Sequence, residues 1–348
     1  MSLLLVFLVI GIIICFHEVG HFVAAKLSGV KVEQFTIGFG PALLKKQWGE
    51  TLYAIRLLPF GGAVMMKDEE GEDADVPEEQ RDPTGSFQHA GKLRQLAICF
   101  AGSLMNFVTG FLVMLLVLMP VTGVVAPVIS EFAPGFALQG ENGLQPGDRI
   151  TSINGFHVFI YSDLQMGLEL GQGHKYDIAV ERNGKKVVLE DVSLERKLFE
   201  GETSPRFGIT FTVEEVSGLQ RPVYAAKTTL SFLQSAYKSI GMLLKGEAST
   251  GDMMGVVGIA DQMNDLAKEE DNTSFWYFVA YLAVNLGFVN LLPIPGLDGG
   301  KIVILAIEGI LGRPLAEKQQ NIITIVGLVL LLSIFVFATF NDIRRLVG

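Results

Sequence analysis

Long uncharged, apolar runs alternate with polar, glycine-rich stretches along this chain. The longest runs cover residues 95–119, 274–297 and 319–341. Each is close to the roughly 20 residues that a helix needs to cross about 30 Å of hydrocarbon. A fourth run, SLLLVFLVIGIIICF at residues 2–16, does not stop but continues through His17-Glu18-Val19-Gly20-His21 to Lys26. The pattern predicts four spanning helices. A cleaved signal peptide begins in a similar way, but this run has no basic leading segment and no small-residue cleavage site, and His17 and Glu18 interrupt its apolar centre.

The stretches between the runs differ from one another. Residues 26–94 read as short β segments joined by glycine turns, followed by an acidic run from Asp68 to Asp82 that suits a solvated loop. Gly38-Phe39-Gly40 is no phosphate cradle, because no Gly-Lys-Ser/Thr and no helix follow it. Residues 121–213 form a small extramembrane β domain, with a Pro146-Gly147 turn and two Asn-Gly hairpin turns at Asn154-Gly155 and Asn183-Gly184. Residues 222–244 place Ala225, Leu230, Leu233, Ala236, Tyr237, Ile240 and Leu244 at helical spacing. That predicts an amphipathic helix lying along the membrane or the β domain.

Composition agrees with a bilayer as solvent. Of 348 residues, 49% are hydrophobic and 18% charged, and mean hydropathy is +0.41, whereas soluble domains carry about 25% charged residues. Disorder and collagen are excluded. A net charge of −10 with no basic stripe argues against a nucleic-acid partner. Cys15 and Cys99 both sit in apolar runs, so neither a disulfide framework nor a cysteine zinc knuckle is on offer. The loop from Lys26 to Arg94 is rich in Lys and Arg, which places it on the cytoplasmic side and the β domain opposite; Arg344 and Arg345 run against that bias.

The chemistry lies inside the first apolar run. His17-Glu18-Val19-Gly20-His21 matches H-E-x-x-H, whose two histidines share one helix face and can reach one metal, with the glutamate beside a water as general base. Polar side chains at membrane depth need a compensating partner; pairing with a neighbouring helix would be the bland alternative. A zinc site of this kind wants a third protein ligand and one open position. His89, His157 and His174 fall in the loop or the β domain. Asp298 follows the third run directly, within Asn290-Leu-Leu-Pro-Ile-Pro-Gly-Leu-Asp-Gly-Gly300, where prolines and glycines break the helix. Asp298 could instead cap a helix beginning near Lys301.

H-E-x-x-H in the first helix, together with N-x-x-P-x-P-x-L-D-G, resembles the site-2 protease family of intramembrane zinc metalloproteases, most closely the bacterial branch that cleaves anti-sigma factors. The likeness covers nearly the whole chain. It takes in Ala101-Gly-Ser-Leu-Met-Asn106, the glycine-rich β segments of residues 35–65, and a PDZ-like region around residues 143–155. The resemblance implies a polytopic α-helical membrane protein of about four spans, with a membrane-associated β-hairpin region and one inserted extracytoplasmic PDZ-like domain. Residues 1–26 would form the first span, 27–93 the cytoplasmic-side β-hairpin or re-entrant region with the acidic loop, and 94–120 the second span. Residues 121–213 would be the PDZ-like domain, 214–272 an amphipathic helical region, and 273–297 the third span. A short helix or loop (298–318), a fourth span (319–341) and a tail (342–348) complete the expected order.

The resemblance further implies that His17, His21 and Asp298 bind one zinc ion per chain and that Glu18 activates water. Asn290, with Pro293 and Pro295 shaping the loop, would line the substrate cleft. Substrates would be single-span membrane proteins in a bacterial inner membrane, such as anti-sigma-factor-like proteins after a prior site-1 cut or signal-peptide remnants, with the active site towards the cytoplasm. Well-known members carry two PDZ domains where this chain has room for one, and Val256 stands where the family often has proline. The PDZ-like domain could bind a newly cut C-terminus or act as a size filter; the family favours the filter. A strand edge among residues 31–65, with alternation in residues 51–56, is expected to pair with the unwound substrate. A non-catalytic membrane scaffold with a structural or vestigial metal site is the alternative from another class. A metal carrier would carry charges along its spans, and a soluble-domain zinc peptidase would place the motif on a soluble helix.

Overall fold

The computed structural model describes residues 3–69, 83–134, 136, 143–171, 175–198, 206–246 and 254–347. His174 and most of the acidic run, residues 70–82, lie outside the described residues. The chain opens with α1 (Leu3–Leu27), β1 (Val32–Trp48), β2 (Thr51–Met66) and α2 (Lys92–Val117). There follow β3 (Gly123–Phe132), β4 (Arg149–Ile153), β5 (Phe156–His157), α3 (Tyr161–Glu169), β6 (Lys175–Arg182), β7 (Lys185–Ser193) and β8 (Ile209–Glu215). The last five helices are α4 (Gln220–Lys245), α5 (Val256–Leu266), α6 (Thr273–Asn290), α7 (Asp298–Leu311) and α8 (Glu317–Val347). Contacts divide the chain into two compact units, Met1–Val113 with Ser235–Gly348, and Met114–Gln234.

Among the described residues three helices are long and apolar enough to cross a membrane, over Val6–Leu27, Lys92–Val117 and Lys318–Arg345. α6, at 18 residues, is not among them. It stops at Asn290 because Pro293 and Pro295 cannot continue a helix, so the apolar run 274–297 is part helix and part loop. α1 shows how apolar sequence is sorted. Val6, Val9, Ile13, His17, Gly20 and His21 recur every three or four residues and are buried, whereas Leu8, Ile12, Phe16 and Val23 form an exposed stripe. The upper part of the buried stripe packs on Phe275, Val279 and Ala283 of α6 and Met263 of α5. Ile322, Ile325, Val326, Leu328 and Val329 of α8 are exposed, a surface suited to lipid.

β1 and β2 are two long, bent strands. Residues 34–37 lie between residues 62–65 on one side and 52–55 on the other, while residues 44–48 pair with 51–55. Gly38, Gly40 and Gly61 at the bends have positive φ, and a Cβ on Gly38 would stand 2.4 Å from the Leu58 carbonyl oxygen. Residues 52–55 are therefore interior to the sheet; among the described residues its one-sided strands are 44–48 and 62–65, both within residues 31–65, so the edge lies there and not in the alternating segment 51–56 that suggested it. The sequence alternation marked a strand but could not say which of its sides was covered.

The second unit holds a sheet in the order β7-β6-β4-β3-β8, with β5 added to β4. Ile129, Leu144, Ile150, Ile153, Leu164, Ile178 and Val180 form its core. Asn154-Gly155 and Asn183-Gly184 adopt positive φ throughout (49°, 76°, 51° and 74°), as a type I′ turn requires. Arg182 clamps the Asp148 carboxylate through Nε and Nη2, each at 2.7 Å, and so fixes the Pro146-Gly147 turn.

α4 departs from expectation in its buried face. Leu230, Tyr237 and Leu244 are exposed, while Tyr224, Ala225, Thr228, Ser231, Phe232 and Ala236 are buried. The hydroxyls tolerate burial because each is bonded: Thr228 Oγ1 donates to the Tyr224 carbonyl at 2.9 Å and Ser231 Oγ to Asp163 Oδ1 at 2.5 Å. Asp163 Oδ2 accepts from the Phe159 and Ile160 amides at the start of α3. Burial holds the Asp163 carboxyl above its ordinary value, and the bonds from the Ser231 hydroxyl and the two amides offset only part of that rise. Replacing Asp163 with Ala is expected to reduce hydrogen-exchange protection of the Phe159 and Ile160 amides by an amount equivalent to about 1–2 kcal/mol, the worth of such a helix cap. Exchange measured by mass spectrometry on the full-length protein checks this.

Candidate metal centre

α1 carries His17 and His21 one turn apart on its buried stripe, and the loop after α6 brings Asp298 to them. His17 Nε2 lies 3.1 Å and His21 Nε2 3.2 Å from Asp298 Oδ2, and the two Nε2 atoms are 3.2 Å apart. Apart from the two imidazoles, this buried Oδ2 has no hydrogen-bond partner among the described residues. Asp298 is the first residue of α7, with Leu297 at the N-cap position; it does not cap that helix. Its carboxylate is instead turned to the histidines.

The loop reaches this position because Gly299 and Gly300 let its backbone fold back on the start of α7. A Cβ on Gly299 would stand 2.3 Å from the Leu291 carbonyl oxygen, and one on Gly300 2.4 Å from that of Ile294. On the other side α2 crosses α1 closely. A Cβ on Gly20 would meet the Ala101 carbonyl oxygen at 2.3 Å, and one on Gly102 would meet His21 Nε2 at 2.2 Å. Small residues permit such an approach, and Gly102 leaves the rings their room.

The donor set fits a zinc ion. Tetrahedral zinc with bonds of about 2.0–2.2 Å separates its ligand atoms by roughly 3.3–3.5 Å, close to the three separations observed. His21 Nδ1 lies 2.8 Å from the Ile98 carbonyl oxygen, which can only accept, so Nδ1 carries the proton and Nε2 presents a lone pair to the cluster. A nitrogen lone pair converging with a carboxylate oxygen in a buried place calls for a cation. Glu18 is within electrostatic reach of all three residues, and its carboxylate accepts from the Val64 amide of β2. Gly62 on the same edge strand lies so close that a Cβ there would be 3.0 Å from Glu18 Cγ. His17, Glu18, His21 and Asp298 are thus together.

Asn290 ends α6 with Nδ2 3.4 Å from His17 Nε2 and 3.5 Å from Nδ1. Pro293 is exposed in the loop, and Pro295 packs against α8, where a Cβ on Gly327 would stand 2.0 Å from its carbonyl oxygen. Sequence reasoning assigned no role to Gly102, Asn106 or Gly62. An asparagine within an uncharged run, one turn from a glycine, was the available signal for the first two; nothing in the sequence pairs Gly62 with Glu18.

Two histidines, one carboxylate and an adjacent glutamate are the donor set and base that a zinc peptidase of the H-E-x-x-H kind uses. The model of peptidase family M50 matches residues 5–334. A protein of Clostridium acetobutylicum provisionally named a zinc metalloprotease is 30% identical over 345 residues, which cover 98% of this chain and 97% of that one. A similarly named protein of Campylobacter jejuni is 32% identical over 352 residues, covering 98% and 93%. The regulator of sigma-W protease RasP of Bacillus subtilis is 27% identical over 418 residues, with 97% of each chain covered. The chain belongs to peptidase family M50, the site-2 protease family, and is a metalloprotease whose metal is zinc.

Gly102→Ala is expected to displace the histidine rings and to weaken zinc binding by about 100-fold, at the upper end of what changes around a metal site produce. Zinc titration of the purified variant against a competing chelator checks this.

Proposed function

We propose that the protein hydrolyses a peptide bond within the transmembrane segment of single-span membrane proteins, with His17, His21 and Asp298 holding one zinc ion and Glu18 as general base. The observation that carries this reading is the meeting of three metal-donor atoms within 4.8 Å of one another, two of them on a helix long and apolar enough to cross a membrane. Zinc held there supplies Lewis acidity to the attacking water and the scissile carbonyl. Glu18, oriented by the Val64 amide, takes the proton from the water and passes it to the leaving amine. Asn290, beside His17, contacts the substrate backbone, and Pro293 and Pro295 hold the loop open as the cleft wall.

A helical substrate hides its carbonyls in its own hydrogen bonds and must unwind before attack. The edge strand at residues 62–65, beside Glu18 and paired on one side only, supports capture of the unwound segment by strand addition. α1, α2, α6 and α8 serve as the four spans, with α6 the shortest. The basic loop between α1 and α2 supports an active site towards the cytoplasmic face of a bacterial inner membrane. The unit with the Gly143–Asp148 turn serves as a single extracytoplasmic PDZ-like domain that excludes intact ectodomains, so that substrates arrive after a first cut. RasP of Bacillus subtilis is named as a regulator of sigma-W; anti-sigma-factor-like proteins, or signal-peptide remnants, are the substrate classes this suggests.

Cleavage of a single-span model substrate in detergent tests the reading. Glu18→Gln is expected to retain zinc and to cut at least about 100-fold more slowly, the usual lower limit for general acid–base catalysis. His21→Ala is expected to lose both zinc and cutting. A folded wild-type protein without zinc would instead support the scaffold alternative. Deleting residues 125–213 should make long-ectodomain substrates cleavable if that domain filters by size; loss of cleavage of shortened substrates would refute the filter.

A further inference from the structure

The two histidines of the candidate metal centre differ in what stands behind them. His21 Nδ1 faces the Ile98 carbonyl oxygen at 2.8 Å, which fixes the proton on Nδ1 and leaves Nε2 free to bind a metal. Behind His17, among the described residues, the partner at Nδ1 is the side-chain amide of Asn106, fully buried on α2, with Nδ2 3.2 Å from Nδ1. The Asn290 amide nitrogen, at 3.5 Å, is the more distant neighbour.

An NH2 group pointing at Nδ1 would make Nδ1 the acceptor and put the His17 proton on Nε2. That proton would then occupy the place where the donor cluster needs a lone pair. In the same orientation Asn106 Oδ1 is buried with no hydrogen-bond partner among the described residues, an arrangement that folded proteins avoid. The oxygen and nitrogen of an asparagine amide are nearly equal in size, and hydrogen bonding alone decides which is which. Exchanging them sets Oδ1 against Nδ1–H and frees the His17 Nε2 lone pair, with the NH2 group taking the buried position that Oδ1 held.

We propose that Asn106 is the positioning residue of His17, its amide oxygen accepting from Nδ1–H and so fixing the tautomer in which both histidines offer Nε2 to the metal. The inference rests on the metal-centre reading above. It gives α2 a role in the chemistry: Gly102 makes room for the rings and Asn106, one turn further on, orients one of them. Carbonyl and amide oxygens behind metal-binding histidines do this work generally.

Two variants of the full-length protein separate an acceptor from a donor at this position. Asn106→Leu keeps the approximate shape and removes all hydrogen bonding; Asn106→Asp keeps an acceptor and removes the donor. Zinc affinity is read by competition with a chelator, and ligand geometry by the absorption spectrum of the cobalt(II)-substituted protein. Both are measured on protein shown to be folded by gel filtration and circular dichroism. The proposal expects zinc binding in Asn106→Leu to fall by about 10- to 100-fold with an altered cobalt spectrum. It expects Asn106→Asp to restore both most of the way. Equal weakening in folded Asn106→Asp and Asn106→Leu would show that the NH2 group matters and would overturn the proposal, as would wild-type affinity in Asn106→Leu. Should Asn106→Leu not fold, Asn106→Asp decides alone: retained zinc and cobalt spectrum support the acceptor, their loss refutes it. Equal zinc binding by wild type and His21→Ala would refute the metal centre itself, a result distinct from either failure.

Discussion

Everything around the candidate centre depends on one electrostatic demand: a carboxylate oxygen meets two imidazole nitrogens at 3.1–3.2 Å in a buried place. Bringing such groups out of water is costly unless a cation or a set of protons stands among them. The local architecture answers that demand. α1 places both histidines on its buried stripe, the loop after α6 doubles back to present Asp298, and α2 comes close enough at Gly102 for the rings to be held from behind. The Ile98 carbonyl and the Asn106 amide then set the direction of the nitrogen donors.

The same arrangement explains why α1 is not uniformly apolar. A helix wholly exposed to lipid could not carry His17, Glu18 and His21 without a large penalty. Here the stripe through Leu8, Ile12, Phe16 and Val23 is exposed, and the polar residues lie on or beside the buried stripe, next to Asp298, Asn106 and the edge strand at Gly62. The candidate span and the helix that carries the candidate metal donors are thus one element with two faces. On the outer face side chains suit hydrocarbon; on the inner face they supply chemistry.

Much of this was legible in the sequence, and the reasons are local. H-E-x-x-H has its meaning through the helical period alone, and Asn154-Gly155 and Asn183-Gly184 form their turns through backbone preference alone. Asp298 was reachable from its place beside a broken apolar run, but its geometry needed the fold, since a helix cap and a metal donor have the same sequence appearance. The interior position of residues 52–55 was not legible. Alternation reports that a strand has two faces, whereas pairing on its two sides depends on distant partners. The rotated face of α4 was hidden for a similar reason: Thr228 and Ser231 read as polar, and only the neighbouring Asp163 and the helix backbone make them fit for burial. Asn106 and Gly102 stood in the open as part of a family pattern, without a role until the rings behind them were placed.

The donors come from opposite ends of the chain, with His17 and His21 in the first helix and Asp298 after the sixth. The second compact unit is inserted between the two segments that build the first. A ribosome therefore releases the histidine helix long before the aspartate loop exists. On the reading proposed above, a nascent chain holds at most two of its three ligands and a base with nothing to act on. Proteolytic competence then arrives late and all at once, when the loop docks. A chain truncated before that loop would be harmless to its neighbours in the membrane.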